Sequence, residues 1–220
     1  MWLYRVLITL QDPVYFATRE VGRLYQTEAY LHNYALTYAL GLATSSYHDA
    51  THVPHYKQDL EPLNARGIYV TPAKPLEVQH VGHTYKWADV RYHVKEKKVD
   101  KNIPTYGKVR ELAPESVFEA FVLSQTCLRL PRWIRLGKGS GKALVEAHEL
   151  SFQKKKGDYI VEHPLNPMDV PQSPTIYDLI LMPPVPLIEN AHFEGEYLEI
   201  QQVREKKRLP AHMRYVFPEA

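Results

Sequence analysis

The sequence predicts an α+β fold that consists mainly of β-strands, and three observations support this prediction. Residues 2–10 (WLYRVLITL) are rich in β-forming residues, with apolar side chains at every second position. Residues 27–42 carry apolar side chains at the spacing of one helix face. Later segments, among them 84–95 and 117–124, again have the composition of strands. A single helix among many strands is typical of the α+β class.

The first strand is predicted to lie in the centre of a sheet. Leu3 and Leu7 place apolar groups on one face, so both faces of the strand are expected to be covered. Asp12 and Pro13 end the strand. The other face is predicted to carry Trp2, Tyr4, Val6, Ile8 and Leu10.

A helix is predicted to begin near Thr27, because threonine is a favourable N-cap and Glu28 then lies in the first turn. Gly41 suits its C-terminal end. The apolar face is predicted to comprise Leu31, Ala35, Tyr38 and Leu42. A turn before this helix carries Arg19, Arg23 and Tyr25. The two arginines are either ordinary surface residues or, if the turn lies near the basic loop described below, phosphate ligands.

The size and composition of the chain exclude several classes of protein. With 220 residues, the chain is one large domain or one domain with a small appendage, and a hydrophobic fraction of 45% excludes a mostly disordered chain. No run of about 18 apolar residues could span a membrane, and residues 1–11 read as a strand rather than a signal peptide. Cys127 is the single cysteine, which excludes an intramolecular disulfide and fits a reducing cytoplasm.

Residues 44–66 are predicted to form a long loop with four potential metal ligands, His48, Asp49, His52 and His55. Pro54 interrupts this group, and the spacing matches no H-E-x-x-H motif. A solvated loop or a polar loop that faces RNA is therefore preferred to a metal site. His80 and His83 form an equally weak pair. No metal and no cofactor are expected.

Residues 84–112 are predicted to form a long β-hairpin. Residues 84–95 alternate in polarity, 96–102 form a charged tip, and 106–112 form the return strand. The segment holds eight basic residues against four acidic ones. A projecting hairpin buries little apolar area, so we expect a partner to contact it. The alternative is a charged hairpin that only keeps a sheet edge soluble.

Residues 129–142 (RLPRWIRLGKGSGK) form the most basic segment. It has five cationic residues and no acidic one, and its glycines alternate with Lys138 and Ser140. Glycine allows the backbone to approach a ligand closely, and free N–H groups in such a turn can bind an anion. Neither G-x-x-x-x-G-K-[ST] nor G-x-G-x-x-G is present, which argues against nucleotide hydrolysis and dinucleotide binding. We favour a contact with a phosphate backbone; the alternative is a solvated hairpin turn.

A strand is predicted before this basic segment, at 117–124. Residues 143–150 after it can form a strand or a short helix, and a strand is preferred because loop and flanks then form a hairpin-like unit. Residues 163–187 contain seven prolines and are predicted to be irregular. A last strand is predicted at 193–203, followed by a basic surface turn at 204–208. We expect a core over residues 1–152 and a strand-containing extension over 153–220.

Several stretches together resemble one family. They are 16–42 (FATREVGRLYQTEAYLHNYALTYALGL), 69–76 (YVTPAKPL), and 132–138 (RWIRLGK) followed by Ser140 and Lys142. They resemble the Cas-five subunit of type I-D CRISPR effector complexes, the Csc-one group, and LNPMDV at 165–170 and MPPVPLIENAHFEGEY at 182–197 extend the match. The resemblance implies a ferredoxin-like (RRM-like) repeat-associated RNA-binding fold with a β-hairpin thumb at about 84–112 and a proline-rich C-terminal extension. A second helix of that fold is not visible in the sequence.

The resemblance also implies a function in antiviral defence. Such a subunit is expected to grip the 5′ handle of CRISPR RNA in a Cascade complex and to cap the filament of Cas-seven-type backbone subunits. It is expected to contact the Cas-ten-type large subunit and target double-stranded DNA near the PAM. It is expected to do no chemistry. One alternative is a metal-independent endoribonuclease, for which Tyr25, His32 and Lys142 are candidate residues; another is a purely structural interaction subunit.

Two sets of contact residues follow from this role. Trp133 and Tyr25 are candidates for stacking on unpaired bases, with core packing as the alternative for Trp133. The basic side chains and the glycine backbone are expected to hold phosphates. The predicted RNA-binding residues are Arg19, Arg23, Tyr25, Arg132, Trp133, Arg135, Gly137, Lys138, Gly139, Ser140, Gly141 and Lys142. The predicted thumb contacts with RNA or a neighbouring subunit are Lys95, Lys97, Lys98, Lys101, Tyr106, Lys108 and Arg110.

Overall fold

The structure, a computed structural model, describes residues 1–44, 54–87, 105–201 and 206–217. In these ranges the chain is α+β and mostly β-sheet, as predicted. Its strands are β1 Trp2–Leu10, β2 Arg19–Val21, β3 Leu24–Gln26, β4 Tyr69–Val70, β5 Lys74–Glu77, β6 His80–Trp87, β7 Thr105–Leu112, β8 Val117–Ser124, β9 Trp133–Leu136, β10 Gly141–Glu149, β11 Phe152–Val161, β12 Ile176–Ile180, β13 Leu187–Gln201 and β14 Lys206–Pro210. The helices are α1 Asn33–Ala39, α2 Tyr56–Leu60 and α3 Pro62–Ala65, and Pro167–Asp169 form a 3₁₀ turn.

The first sheet is built around β1, which confirms the central strand predicted at residues 2–10. Its strand order is β4-β8-β1-β10-β9, with β5 also paired to β8, and every pairing is antiparallel. Val6 lies between Ala120 of β8 and Ala147 of β10. Leu3 is buried on one face of the strand and Ile8 on the other. The strand predicted at 143–150 is also confirmed, since β10 covers most of it.

The predicted start of the helix was wrong. The helix begins at Asn33, with His32 as its N-cap, and residues 19–26 instead form the two strands β2 and β3. Thr27 is buried, where its hydroxyl donates to the carbonyl of Phe16. Because β3 pairs with β7, a strand more than 80 residues away in sequence, long-range backbone pairing overrides the local capping signal.

The predicted apolar face of the helix was also wrong. Ala35 is exposed, and the buried positions of α1 include Leu36 and Thr37. The shift follows from the later start of the helix, because Leu31 lies before it and pairs with Ala73 as an isolated bridge. Gly41, with φ +69°, confirms the predicted end of the helix. The loop predicted at 44–66 contains α2 and α3.

The second sheet has the strand order β2-β3-β7-β6 and contains the predicted hairpin. β6 and β7 pair antiparallel from His80 opposite Leu112 to Trp87 opposite Thr105, so the first strand begins four residues before the predicted start. The tip of the hairpin, including the predicted contacts Lys95, Lys97, Lys98 and Lys101, lies outside the described residues.

The third sheet has the order β11-β13-β12, and β14 pairs with the other part of β13. Two predictions for this region were wrong. The proline-rich stretch contains β12, whose sequence IYDLI is free of proline and can therefore pair along its length. The predicted basic turn at 204–208 is in part strand, because β14 begins at Lys206, while Arg204 lies outside the described ranges.

Two hydrophobic clusters hold these layers together. One contains Leu3 and Phe121 of the first sheet with Ile188 and Leu198 of the third. The other lies on the opposite face of the first sheet, where Ile8 packs in one cluster with residues of α1 such as Leu36. The first sheet is therefore covered on both sides. The predicted boundary near residue 152 coincides with the start of β11 and stays a prediction.

Two buried acidic side chains connect separate elements of the fold. The Glu119 side chain on β8 accepts hydrogen bonds from Arg5 on β1 and from Lys207 on β14. Burial acts to raise the pKa of Glu119, but the hydrogen bonds from Lys207 and Arg5 hold it below its usual value. Asp169 accepts from Asn33 Nδ2 at 2.8 Å and from the Tyr69 hydroxyl at 3.1 Å.

Across residues 1–44, 54–87, 105–201 and 206–217, no helix has the length and apolar content needed to cross a bilayer.

Candidate nucleic-acid interface

The basic segment folds as a tight hairpin of β9 and β10. Ile134 and Leu136 face the core, so Trp133 and Arg135, which alternate with them along β9, point to the outer face. Lys142 lies opposite Arg135 in the pairing, which places it on the same outer face. A hairpin-like unit was predicted around this segment, with residues 117–124 as its first strand. The first strand of the hairpin is β9 instead, because β8 pairs with the edge of β1 opposite to β10.

The outer face of this hairpin presents one aromatic ring and two cations. Trp133 is 47% exposed, so the alternative of core packing is excluded. The Nζ of Lys142 lies 4.0 Å from the centroid of the Trp133 ring, a cation–π arrangement. Arg135 Nη1 donates to the Ser140 carbonyl at 3.0 Å, which holds the guanidinium beside the turn. Arg132 and Lys138 are also exposed.

Two of the three glycines are needed for packing of the turn. Gly137 has φ +72°, and a Cβ there would lie 2.6 Å from the Tyr15 carbonyl oxygen. A Cβ on Gly141 would lie 2.8 Å from the Pro13 carbonyl oxygen. A Cβ on Gly139, by contrast, would meet no atom within 4 Å. The turn thus packs closely on residues 13–15.

The backbone of the turn differs from the predicted anion-binding concavity. The N–H of Lys138 donates to Tyr15 O at 2.8 Å, and that of Ser140 donates to Gly137 O at 3.2 Å. The N–H of Lys142 donates to Asp12 Oδ2 at 2.9 Å. These three amides are used inside the protein, so at residues 138, 140 and 142 the turn can offer a phosphate its side chains but not its backbone N–H groups.

The second sheet brings together residues from both predicted sets. Gln26 lies opposite both Arg19 and Arg110, and Leu24 lies opposite Lys108, so the three cationic residues share one face. Arg23 lies in the β2–β3 turn, where its carbonyl accepts from the Lys108 N–H at 2.8 Å. Tyr106, which is exposed, precedes Lys108 and Arg110 in β7 by two and four residues, so it lies on the same face.

Tyr25 lies on the other face of this sheet, among acidic groups. It is opposite Glu20 in β2 and Val109 in β7. Burial raises the pKa of Tyr25, and a hydrogen bond with Glu20 adds to the shift. On the same face, Glu111 accepts from the Tyr85 hydroxyl and bonds His83 Nδ1, each at 2.8 Å. Tyr25 is therefore separated from the cationic face.

The basic turn and the second sheet are neighbours through residues 14 and 15. Val14 and Leu112 exchange two backbone hydrogen bonds of 3.0 Å, and Tyr15 accepts from the turn at Lys138. The turn and the sheet that carries Arg19 and Arg23 are thus joined through one short segment, and phosphate binding by these two arginines stays a prediction.

The histidines form no metal site among the described residues, where no cluster of three or more His, Cys, Asp or Glu side chains has suitable geometry. His80 and His83 are three positions apart in β6, so they point to opposite faces. His80 is bonded to the Thr27 carbonyl and to Arg110. His48, Asp49 and His52 lie outside the described ranges.

His32 is buried, and both nitrogens of its ring are hydrogen-bonded to the backbone. Its Nδ1 accepts from the Tyr34 N–H at 3.3 Å, so its Nε2 carries the proton and donates to Val185 O at 3.1 Å. Burial lowers the pKa of His32 to about 4. With both ring nitrogens engaged, His32 is not a free base, which removes it from the Tyr25, His32 and Lys142 set considered for RNA cleavage.

Sequence reasoning missed a cleft of about 430 Å³ beside the basic turn. Its walls come from five separated segments, and they include Phe16, Tyr34, Tyr56, Lys138 and Pro183. No local sequence pattern predicts this cleft, because only tertiary packing brings these segments together.

The family described as type I-D CRISPR-associated protein Cas5/Csc1 matches this chain over residues 1–218. The chain belongs to this family. The resemblance inferred from the sequence is thereby confirmed, and the protein is a CRISPR-associated subunit. No curated protein is significantly similar to the chain.

One similar solved structure is a chain of the assembly described as "Cryo-EM structure of the Type III-B Cmr-beta bound to cognate target RNA and AMPPnP, state 1". The identity is 10%, the TM-score is 0.45, and the similarity covers 86% of each chain.

Proposed function

We propose that this Cas5/Csc1 subunit grips the 5′ handle of CRISPR RNA in a type I-D Cascade complex and does no chemistry on it. The observation that carries this proposal is the outer face of the β9–β10 hairpin, where Trp133, Arg135 and Lys142 project together. A ring flanked by cations matches what single-stranded RNA offers, because each nucleotide has a base that can stack and a charged phosphate.

Within this proposal each side chain has a distinct role. Arg135 binds a phosphate through the guanidinium N–H groups that face away from Ser140, and Lys142 acts as a point charge. Trp133 stacks on an unpaired base. Arg132 and Lys138 extend the cationic surface along the strand. The phosphate contacts supply affinity, whereas base contacts supply any preference for the handle sequence.

The cationic face of the second sheet continues this surface. Arg19, Lys108 and Arg110 share one face, and residues 14–15 connect that sheet to the turn. We assign to this face the RNA or subunit contacts predicted for the thumb. Tyr25 is a weaker candidate for base stacking, because its hydroxyl is bonded to Glu20 on the acidic face.

A ferredoxin-like core is consistent with the strand order. In the chain, β1, α1, β4, β8 and β10 follow one another, and the four strands lie side by side as β4-β8-β1-β10, all antiparallel. We infer a βαββαβ arrangement in which residues 125–140, with β9 and the basic turn, stand where the second helix would be. The hairpin of β6 and β7, inserted between β4 and β8, is then the thumb.

The proposed partners are the Cas-seven-type backbone subunits, the Cas-ten-type large subunit, and target double-stranded DNA at the PAM. The strand β12 and the residue after it support a contact with another subunit, since β12 pairs with β13 and four large apolar side chains here are exposed. Such a patch is typical of a protein interface. The exposed residues of this patch are Ile176, Tyr177, Leu179 and Leu181.

The test is to purify the complex from its native operon with 4-thiouridine in the CRISPR RNA, irradiate it, and map the crosslinked peptides. We expect crosslinks from handle nucleotides to the peptide that contains residues 129–142. Crosslinks from the handle to other subunits only would overturn the proposal. In a parallel reaction with EDTA, the isolated chain is expected to leave repeat RNA uncut; site-specific cleavage would favour the endoribonuclease alternative.

A further inference from the structure

The cleft beside the basic turn lies on the opposite side of that turn from Trp133. Leu136 and Gly137 form part of its wall, and Lys138 stands at the turn itself. Leu136 faces inward, whereas Trp133 and Arg135 face outward. An RNA strand that crosses the turn therefore has a stacking ring on one side and this cleft on the other.

The walls of the cleft are aromatic and apolar. Phe16 and Tyr56 are partly exposed in it, and Tyr34 lies behind, with ring centroids of Tyr34 and Tyr56 separated by 5.0 Å. Pro183 and Pro184 form a further apolar edge. A volume of about 430 Å³ is within the range of small-molecule sites and admits a flat ring system.

The polar groups of the cleft indicate how it would recognise a ligand. Both ring nitrogens of His32 are bonded within the protein, so His32 presents its ring and not a hydrogen-bonding edge. Lys138 is exposed at the turn, and it is the cation among the lining residues. Flat apolar walls with a cation beside them fit an uncharged aromatic ring attached to an anion.

We propose that this cleft takes one unstacked nucleobase of the bound RNA, which stacks against Tyr56 and Phe16 while Lys138 holds the adjacent phosphate. The inference rests on the proposed RNA-binding function and adds a second base site to it. Because stacking does not read the base edges, the site accepts any of the four bases and requires only that a base be present.

The test is an abasic scan. Synthetic RNAs with the sequence of the CRISPR repeat from the same locus, each lacking one base, are titrated with the purified chain by fluorescence anisotropy. The blocking variant is Ala35→Trp, because Ala35 is an exposed position of α1 that lines the cleft, so that an indole there fills the cleft without removing a core contact. The matched control is Ala147→Trp, because Ala147 is also an exposed alanine but lies on β10 and does not line the cleft.

In the wild-type chain, loss of one particular base is expected to weaken binding by roughly 5- to 150-fold, the range of one base–aromatic stack. In Ala35→Trp, intact RNA should bind with this weakened affinity, and the same base should no longer matter. Ala147→Trp should behave as wild type. Tyr56→Leu, which keeps an apolar wall but removes the ring, should reduce the effect of that base.

Three results would count against the inference in distinguishable ways. If every abasic RNA binds as intact RNA does, yet affinity still depends on salt, the cleft holds no base and the proposed RNA contact survives. If no RNA binds even at low salt, the proposed function itself fails. If Ala35→Trp leaves the abasic profile unchanged but blocks assembly with another subunit, the occupant is a protein side chain.

Discussion

Gly137 and the carbonyl of Tyr15 are in such close contact that a Cβ on Gly137 would lie 2.6 Å from the carbonyl oxygen. The same glycine has φ +72°, in the left-handed region. The N–H of the next residue, Lys138, donates to that carbonyl at 2.8 Å. The position of the basic turn thus depends on a backbone contact that no residue with a side chain can make unchanged.

Gly137→Ala is therefore expected to destabilise the protein by at least about 1–2 kcal/mol, from left-handed strain and displacement of the turn. RNA affinity should fall as well, because the cationic side chains move with the turn. Gly139→Ala is the matched control, since its Cβ would meet nothing within 4 Å; its effect should stay within about 0.5 kcal/mol. Urea unfolding measures both, and equal effects of the two substitutions would contradict this explanation.

Arg135→Ala combined with Lys138→Ala is expected to flatten the salt dependence of RNA binding. Two lost phosphate contacts on single-stranded RNA should reduce the slope of log K against log salt by about 1.4. The control pair is Lys154→Ala with Lys156→Ala, two exposed lysines on β11 in the third sheet. Anisotropy titrations at several salt concentrations measure the slopes. A loss of affinity with an unchanged slope would argue against phosphate contacts.

Asp169 is expected to make stability depend on pH. Burial raises the pKa of Asp169 to about 7, so the folded protein holds a proton there that the unfolded chain releases near pH 4. The stabilising contribution is complete at low pH and is lost as the pH rises through about 7. The stability advantage of the wild type over Asp169→Asn should therefore shrink between about pH 4.5 and about pH 8.

Chemical unfolding of both proteins across that range measures this difference. Burial also lowers the pKa of His32 to about 4 and that of His163 to about 3, but both histidines are present in the two proteins and cancel in the comparison. A difference that stays constant, or grows with pH, would show that Asp169 does not hold a proton in the folded state.

Lys207→Ala is expected to weaken the attachment of the third sheet to the first. It removes a cation from the fully buried Glu119 carboxylate and leaves Arg5 as its cationic partner. A loss of about 1–3 kcal/mol is expected for an uncompensated hydrogen bond to a buried charge. Lys206→Ala, the exposed neighbour on β14, should change stability by less than about 0.5 kcal/mol. Thermal or urea unfolding that shows similar losses for both would contradict this assignment.

The elements with strong local signals were predicted well. Residues 2–10, 117–124 and 143–150 were predicted as strands, and each of them forms a strand, or most of one, that is buried on at least one face. The prediction of the helix start failed because Thr27 and Glu28 match the local sequence pattern of a helix N-cap. In the structure the Thr27 hydroxyl is instead bonded to the backbone of Phe16. β12 was missed because the prolines around it obscured a short strand without proline.

In the candidate site, the order of amino acids alone shows which residues are cationic, which are aromatic, and where three glycines separate them. Packing of distant segments sets which side chains face outward, places Gly137 and Gly141 against residues 13–15, and bonds the amides of Lys138, Ser140 and Lys142 inside the protein. It also decided that Phe16, Tyr56 and Lys138 share one cleft. This difference arises because alternation and charge pattern are properties of residues that are adjacent in sequence. A cleft or a backbone contact forms only when segments that are distant in sequence pack together.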